Sequence, residues 1–480
     1  MQDNFNDFEM KNLLYLLPLF FTTLSFGQQN CNCETALTNL VSKIENEYPG
    51  FAEKTKDSLL YNNLKKELAV KSKKTNGEQC LDVLQQYTNF FKDRHIWILP
   101  NEQDKSLVAG KIEAPKQLDI NISEFTKRIK KSKDKLEGIW KDENYTVGIS
   151  KTGENQYTGF IIETKNQNWK PKEIKFQLNG KEDVTYYLSD HSMFKDTFKV
   201  YEDYLLYINN LKSTFIKQDP NRKLDLVEVT KRINELDGFY FEKLTEKSSL
   251  IRISSFNYPY VERIEKLIKD NRTAIENSEN LIIDIRNNGG GTDGAYTELL
   301  PFIATNPIKN VGIELLSTQG LIDGITTYKN GLVAKDPEKN RDEIIEMERR
   351  LTIYKNNLGK FVNLENKNVS IDTVQIAYKS PKQIIVLAND KVASAGENFL
   401  LKAKQSKKVK LMGIPTSGVL DYANSYFFKF GCDNYRLLLP TYRSLRLPNY
   451  PIDNIGIQPD IYLDKTVTDW VKYAVEYLEN

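Results

Sequence analysis

Apolar residues recur at helical spacing through Leu37, Leu40, Val41 and Ile44, then through Leu81, Val83, Leu84, Tyr87 and Phe90. This period predicts helices over 34–92. The stretch ends in Phe91-Lys92-Asp93-Arg94-His95 followed by Ile96-Trp97-Ile98-Leu99, so His95 falls on a helix-to-strand junction. From about 136 the period shortens. Alternating runs at 138–140, 145–149, 157–162, 186–188 and 204–208 predict an antiparallel β-module, a small barrel or sandwich. From about 236 strands and helices alternate: a strand at 249–253, a helix over 261–277, a strand at 281–286, a helix over 293–300 stopping before Pro301, and a strand at 383–388. Such alternation implies a mostly parallel sheet, whose sites gather at the C-terminal ends of its strands. The charged run 336–360 reads as a solvated helical insertion within about 320–370.

The expected fold class is therefore an α/β core, a mostly parallel sheet with helices, plus an N-terminal helical region and a separate β-module. The predicted divisions are a leader at 1–27, the helical region carrying His95 at 28–115, the β-module at 136–232 and the core at 236–480. The leader reading rests on Lys11, the short apolar run 13–21, and a small-residue exit with Ser25 and Gly27 before the cut. That run is too short for a bilayer span, so no stable membrane span is expected after cleavage. The predicted location is exported, periplasmic or extracellular.

Composition narrows the partners. Across 480 residues, 67 basic and 65 acidic side chains leave a net charge of +2, with the two signs interleaved. Nothing in that balance points to nucleic acid. Four cysteines (Cys31, Cys33, Cys80 and Cys432) suit an oxidising compartment, where Cys80 can pair with Cys31 or Cys33. With only His95 and His191, and neither at ligand spacing from a cysteine pair, no metal site is expected.

The chemistry lies at two strand ends. The strand at 281–286 stops at Asn287-Asn288-Gly289-Gly290-Gly291, whose bare N–H groups can approach a developing negative charge. The strand at 383–388 turns through Asn389 and Asp390 into Ala393-Ser394-Ala395, placing a serine at a helix mouth. A serine there commonly just caps the helix. A glycine loop beside it is instead what acyl transfer requires. Of the two histidines, His191 falls in a turn of the β-module, whereas His95 lies by Asp93 and an apolar strand, a setting for a general base. Asp453 is the candidate third member, to fix the imidazole tautomer; a plain turn aspartate beside Asn454 and Gly456 is the other reading.

Taken together, these residues resemble the C-terminal processing (tail-specific) protease family of serine peptidases. Asp284-x-Arg286-x-Asn288-Gly289-Gly290 is similar to the family's strand and glycine loop, and Val392-Ala393-Ser394-Ala395 to its nucleophile turn. Gly413-Ile414-Pro415-Thr416-Ser417-Gly418 and Asp453-Asn454-x-Gly456-Ile457-x-Pro459-Asp460 resemble the following turn and the closing motif. The likeness covers roughly 236–315 and 380–465 with the Asp93-x-His95 patch. In the dyad branch a lysine follows the glycine matching Gly418; here Val419 stands there, and Lys391 does not match the family position. The resemblance thus implies the tricorn-like branch, with Ser394 as nucleophile, His95 as base and Asp453 as acid. It implies oxyanion donors at Gly289 or Gly290 and at Ala395. Asp453 stands where the family's acid is typically glutamate, and Arg94 where the tricorn core has a relay serine, so Asp93 is a second candidate to orient His95. No PDZ domain is recognisable; the β-module takes its place.

The resulting expectation is an exported serine peptidase acting on protein or peptide substrates without a cofactor, its oligomeric state left open. The alternative is a non-catalytic ligand- or peptide-binding protein that keeps the fold, as in the retinoid-binding relatives. Hydrolysis of a non-peptide ester or amide is a third reading.

Overall fold

Six strands form the central sheet, in the order Phe239–Lys243, Ser248–Ile253, Asn280–Asp284, Gln383–Ala388, Val409–Gly413 and Ile461–Tyr462. The first pair is antiparallel and every other pair is parallel. The computed structural model describes residues 31–75, 77–101, 116–219, 222, 224–377, 379 and 381–480. The leader read at 1–27 lies outside the described residues, as does part of the stretch ending at 115. Among the described residues no helix is long and apolar enough to cross a membrane.

Both faces of the sheet are covered, which is why its strands are apolar without alternation. Leu281 and Ile283 point into one cluster with Ile253, Ile264 and Phe399. Ile282 points into another with Leu250, Ile385, Met412 and Leu478 of the terminal helix Trp470–Glu479. The helix expected over 261–277 is two helices, Val261–Asp270 and Arg272–Asn277, meeting at Asn271. The segment expected to stop before Pro301 is a 3₁₀ turn, Asp293–Leu299, running into a short helix, Leu300–Ile303. Pro301 sits in that helix's first turn, where its missing N–H breaks no hydrogen bond.

Between Gly138 and Gln218, eight antiparallel strands close into a barrel, sealed where Gly138–Lys141 pairs with Ser213–Gln218. Trp140, Phe176 and Phe215 fill it. The insertion is a helical hairpin, Gln319–Lys335 and Arg341–Asn356, held at its base by the strand Ile313–Leu316. Leu315 packs there with Leu321, Leu351 and Tyr354.

The N-terminal helices Cys33–Glu47, Ser58–Ser72 and Cys80–Asn89 share one core with Tyr422, Phe428, Leu437 and Leu439 from the other end of the chain. Strand Trp97–Pro100 pairs antiparallel with Tyr435–Leu439, from Trp97 opposite Leu438 to Pro100 opposite Tyr435. Disulfides join Cys33 to Cys80 and Cys31 to Cys432. The first is one of the two pairings open from sequence; the second ties the helical region directly to the core.

Candidate active site

The two loops leave the sheet side by side because their strands are parallel neighbours, with Asp284 opposite Leu387. Asp284 is buried, and its carboxylate is gripped by Arg252 at 2.8 Å and Arg286 at 2.6 Å, which fixes the strand end. Asn287 and Asn389 exchange hydrogen bonds across the gap, each 2.8 Å long. Buried Asn288 accepts from Phe256 N–H and Gly290 N–H and donates to the Ile253 carbonyl. Its own carbonyl accepts the Ala393 N–H at 3.1 Å. The glycine loop and the serine turn are thus bracketed together.

Ser394 has φ +52° and ψ −120°, a backbone conformation that side-chain-bearing residues rarely adopt and that clusters at functional sites. It precedes helix Ala395–Ala403. Gly290, at φ +96°, packs against it so closely that a Cβ would lie 2.9 Å from Ser394 Cβ and 2.7 Å from the Ala393 carbonyl oxygen. Glycine is the residue that fits. The Gly290 N–H, one of the expected oxyanion donors, is already donated to Asn288 Oδ1 at 3.0 Å. The N–H groups of Gly289 and Ala395 have no acceptor among the described residues.

His95 follows a buried aspartate. Asp93 Oδ1 accepts the His95 backbone N–H at 2.8 Å, and its Oδ2 accepts the Tyr48 hydroxyl at 2.8 Å. Asp93 Oδ1 stands 3.9 Å from His95 Nδ1, and that buried nitrogen has no hydrogen-bond partner. Burial pulls the imidazole below its ordinary value of 6.5, against the opposing pull of Asp453, the Tyr422 carbonyl and Glu397. Asp453 Oδ1 accepts from Leu420 and Asp421 N–H, at 2.9 and 2.8 Å, and Oδ2 faces Lys54 at 3.8 Å. Burial, with Asp93 nearby, raises Asp453 to about 7. Asp93 is raised by burial to about 6.

Two polar contacts hold the His95 loop to the core: Asn454 donates to the Lys92 carbonyl at 2.9 Å, and Arg94 donates to the Ser417 hydroxyl. Ser417 N–H in turn donates to the Val392 carbonyl at 2.9 Å, two residues before Ser394. The structure therefore brings the His95 loop, the closing motif and the serine turn together. No hydrogen bond joins His95 to Ser394 or to Asp453. The other histidine, His191, sits in a barrel turn at φ +69°, its ring against Trp169 and its Nε2 3.9 Å from Glu173.

Residues 247–463 match the sequence model of Peptidase family S41. That segment, a little under half of the chain, is similar to S41 peptidases. No curated protein matches the sequence. Among solved structures, mature CPAF aligns over 93% of this chain and 95% of its own, at 14% identity and a TM-score of 0.49. The tricorn protease aligns over 94% of this chain and 37% of its own, at 13% identity and a TM-score of 0.42. The photosystem II D1 C-terminal processing protease covers 92% and 95%, at 12% identity and a TM-score of 0.39.

The segment 247–463 contains one site residue to which sequence reasoning gave no role. Glu397 is completely buried, and its carboxylate accepts from Ser394 N–H, the Thr416 hydroxyl, Gly418 N–H and Val419 N–H. Thr416 Oγ1 also accepts the Ile457 N–H at 2.7 Å, so the closing motif hangs on the same network. Burial raises the Glu397 pKa while these donors lower it. The sequence signal was the Ser394-x-x-Glu397 spacing, that of a capping box.

Proposed function

We propose that this chain is an exported serine peptidase that cleaves peptide bonds with Ser394, His95 and Asp453. The observation that carries the reading is Ser394, held at positive φ against the glycine loop, with the N–H groups of Gly289 and Ala395 lacking acceptors among the described residues. Ser394 Oγ attacks the scissile carbonyl carbon while His95 takes the hydroxyl proton. The carbonyl oxygen gains the negative charge and is held by the Gly289 and Ala395 N–H groups. The C–N bond then breaks as His95 returns the proton to the leaving amine. Water, deprotonated by His95, releases the acyl group and restores Ser394. The carboxylate of Asp453 stabilises the imidazolium electrostatically. His95, pulled below its ordinary value by burial, is neutral and able to accept a proton at pH 7.

Catalytic hydrogen bonds commonly tighten only when substrate is bound, so the mechanism has His95 closing on Ser394 in the substrate complex. Export is supported by the two disulfides, which persist in oxidising compartments.

The test is labelling with an active-site fluorophosphonate. Labelling of the wild type that is lost in Ser394→Ala and in His95→Ala supports the peptidase. A wild type that does not label favours the non-catalytic binding protein, a reading favoured by the absence of a His95–Ser394 hydrogen bond.

A further inference from the structure

The strand Phe239–Lys243 pairs on one side only, with Ser248–Ile253. Beyond that pairing, no backbone N–H or C=O of Tyr240, Phe241, Glu242 or Lys243 takes part in a hydrogen bond among the described residues. Natural sheets blunt such an edge by keeping it short, or with charged side chains, proline, bulges or a covering helix or loop. This strand, Phe-Tyr-Phe-Glu-Lys, has no proline, pairs without a bulge, and carries charge only at its last two residues.

The open edge lines a groove of about 1270 Å³, walled by helices Leu226–Asp237 and Val261–Asp270. Leu226 and Val227 stand at one wall with 71% and 78% of their surface exposed. The lining cations Arg232, Arg263 and Lys266 are paired with Glu235, Asp237 and Asp270. Lys231 and Lys243 have no carboxylate partner among the described residues, against one such lining acid, Glu242. Arg232 Nε is buried and has no hydrogen-bond partner.

We propose that this groove docks an extended, acidic peptide segment of a partner polypeptide, added as a seventh strand alongside Phe239–Lys243. Backbone pairing supplies the affinity in this mode, and side-chain pockets supply the selectivity. At about 3.3 Å per residue, the edge is about 17 Å long and seats about five residues of the incoming chain. Alternate side chains of that segment meet Leu226 and Val227, and carboxylates meet Lys231 and Lys243. The groove lies three strands from the one that delivers Ser394, about 14 Å across the sheet. Docking there does not depend on the chemistry proposed for the serine.

The test uses Ser394→Ala protein, so that binding is read without cleavage, and a fluorescein-labelled peptide of alternating valine and glutamate. Fluorescence anisotropy should show saturable binding, and hydrogen exchange should slow at the outward-facing amides of Phe241 and Lys243. The same peptide N-methylated at alternate amides should fail to bind. The double variant Lys231→Glu, Lys243→Glu should weaken binding about tenfold, since two attractions become repulsions at exposed sites. Absence of saturable binding would overturn the proposal. So would binding indifferent to N-methylation or to the charge reversal. Protection of Phe241 and Lys243 that instead follows protein concentration without peptide would make the occupant a second copy of the chain, and equally overturn it.

Discussion

Glu397 accepts the backbone N–H of Ser394 at 3.1 Å and, with the same carboxylate, the N–H groups of Gly418 and Val419 at 2.8 Å each. One buried carboxylate therefore sets the pose of the serine turn against the 416–419 loop. Glu397→Ala would strand several buried donors, each costing about 1–3 kcal/mol. The expected result is a kcat lower by about 10²-fold or more, with KM little changed and a reduced melting temperature. Steady-state kinetics beside thermal melts check this. Wild-type kcat in a folded Glu397→Ala protein would contradict the positioning role.

Gly290→Ala places a methyl group against the Ala393 carbonyl and Ser394 Cβ, at a φ of +96°. The backbone strain is about 1–3 kcal/mol. Because the turn must shift to relieve the contact, activity should fall at least about 10²-fold while circular dichroism stays native. An active Gly290→Ala enzyme would show that this packing is unimportant.

The pH dependence follows from His95. Burial lowers its pKa below 6.5, so the neutral base is lost as pH falls through a value under 6.5. In the proposed mechanism the acid limb of kcat/KM therefore carries a step below the midpoint of a free imidazole, and Asp453→Asn, which removes the carboxylate raised to about 7, should leave that lower step in place. A profile flat from pH 8 down to 4.5 would exclude His95 as the base.

Asp93 has the opposite sign. Its folded pKa of about 6 lies above the ordinary 3.8, so the native state takes up its proton more readily than the unfolded chain does. The stability this contributes is fully present below about pH 4 and is lost as pH rises through about 6. Asp93→Asn keeps an oxygen for the His95 N–H and removes the buried charge. It should raise stability at pH 8 by roughly 1–2 kcal/mol relative to wild type and change little at pH 4. Denaturant melts at the two pH values read the difference, and equal effects at both would refute the assignment.

Cys31–Cys432 closes a separation of 401 residues between the helical region and the core. Cys31→Ser should lower stability by about 2–4 kcal/mol, with Cys33–Cys80 intact. Non-reducing peptide mapping confirms the surviving bond, and unchanged melting would show that the shared apolar core suffices.

Much of the sheet was legible because local pattern encodes it. The apolar runs at 281–286 and 383–388, each followed by turn residues, mark two buried parallel strands, observed as Asn280–Asp284 and Gln383–Ala388. Local pattern does not separate a small barrel from a sandwich, because closure depends on Gly138–Lys141 meeting Ser213–Gln218, a pairing without local signature. The same limit hid the Trp97–Pro100 pairing with Tyr435–Leu439 and the Cys31–Cys432 bond. At the candidate site, residue types point to Ser394, His95 and Asp453, but a Ser-x-x-Glu spacing does not distinguish Glu397 from a capping residue. Its four donors come largely from residues about twenty positions away. Nor does a run of glycines reveal that Asn288 has already claimed the N–H of Gly290.

The antiparallel pairing of Trp97–Pro100 with Tyr435–Leu439 has a temporal consequence. His95 is translated some three hundred residues before Ser394, and the strand that docks the histidine loop follows later still. In the proposed arrangement a nascent or C-terminally shortened polypeptide is inert. The proposed site then assembles only once residues far apart in the sequence have all been made and folded together.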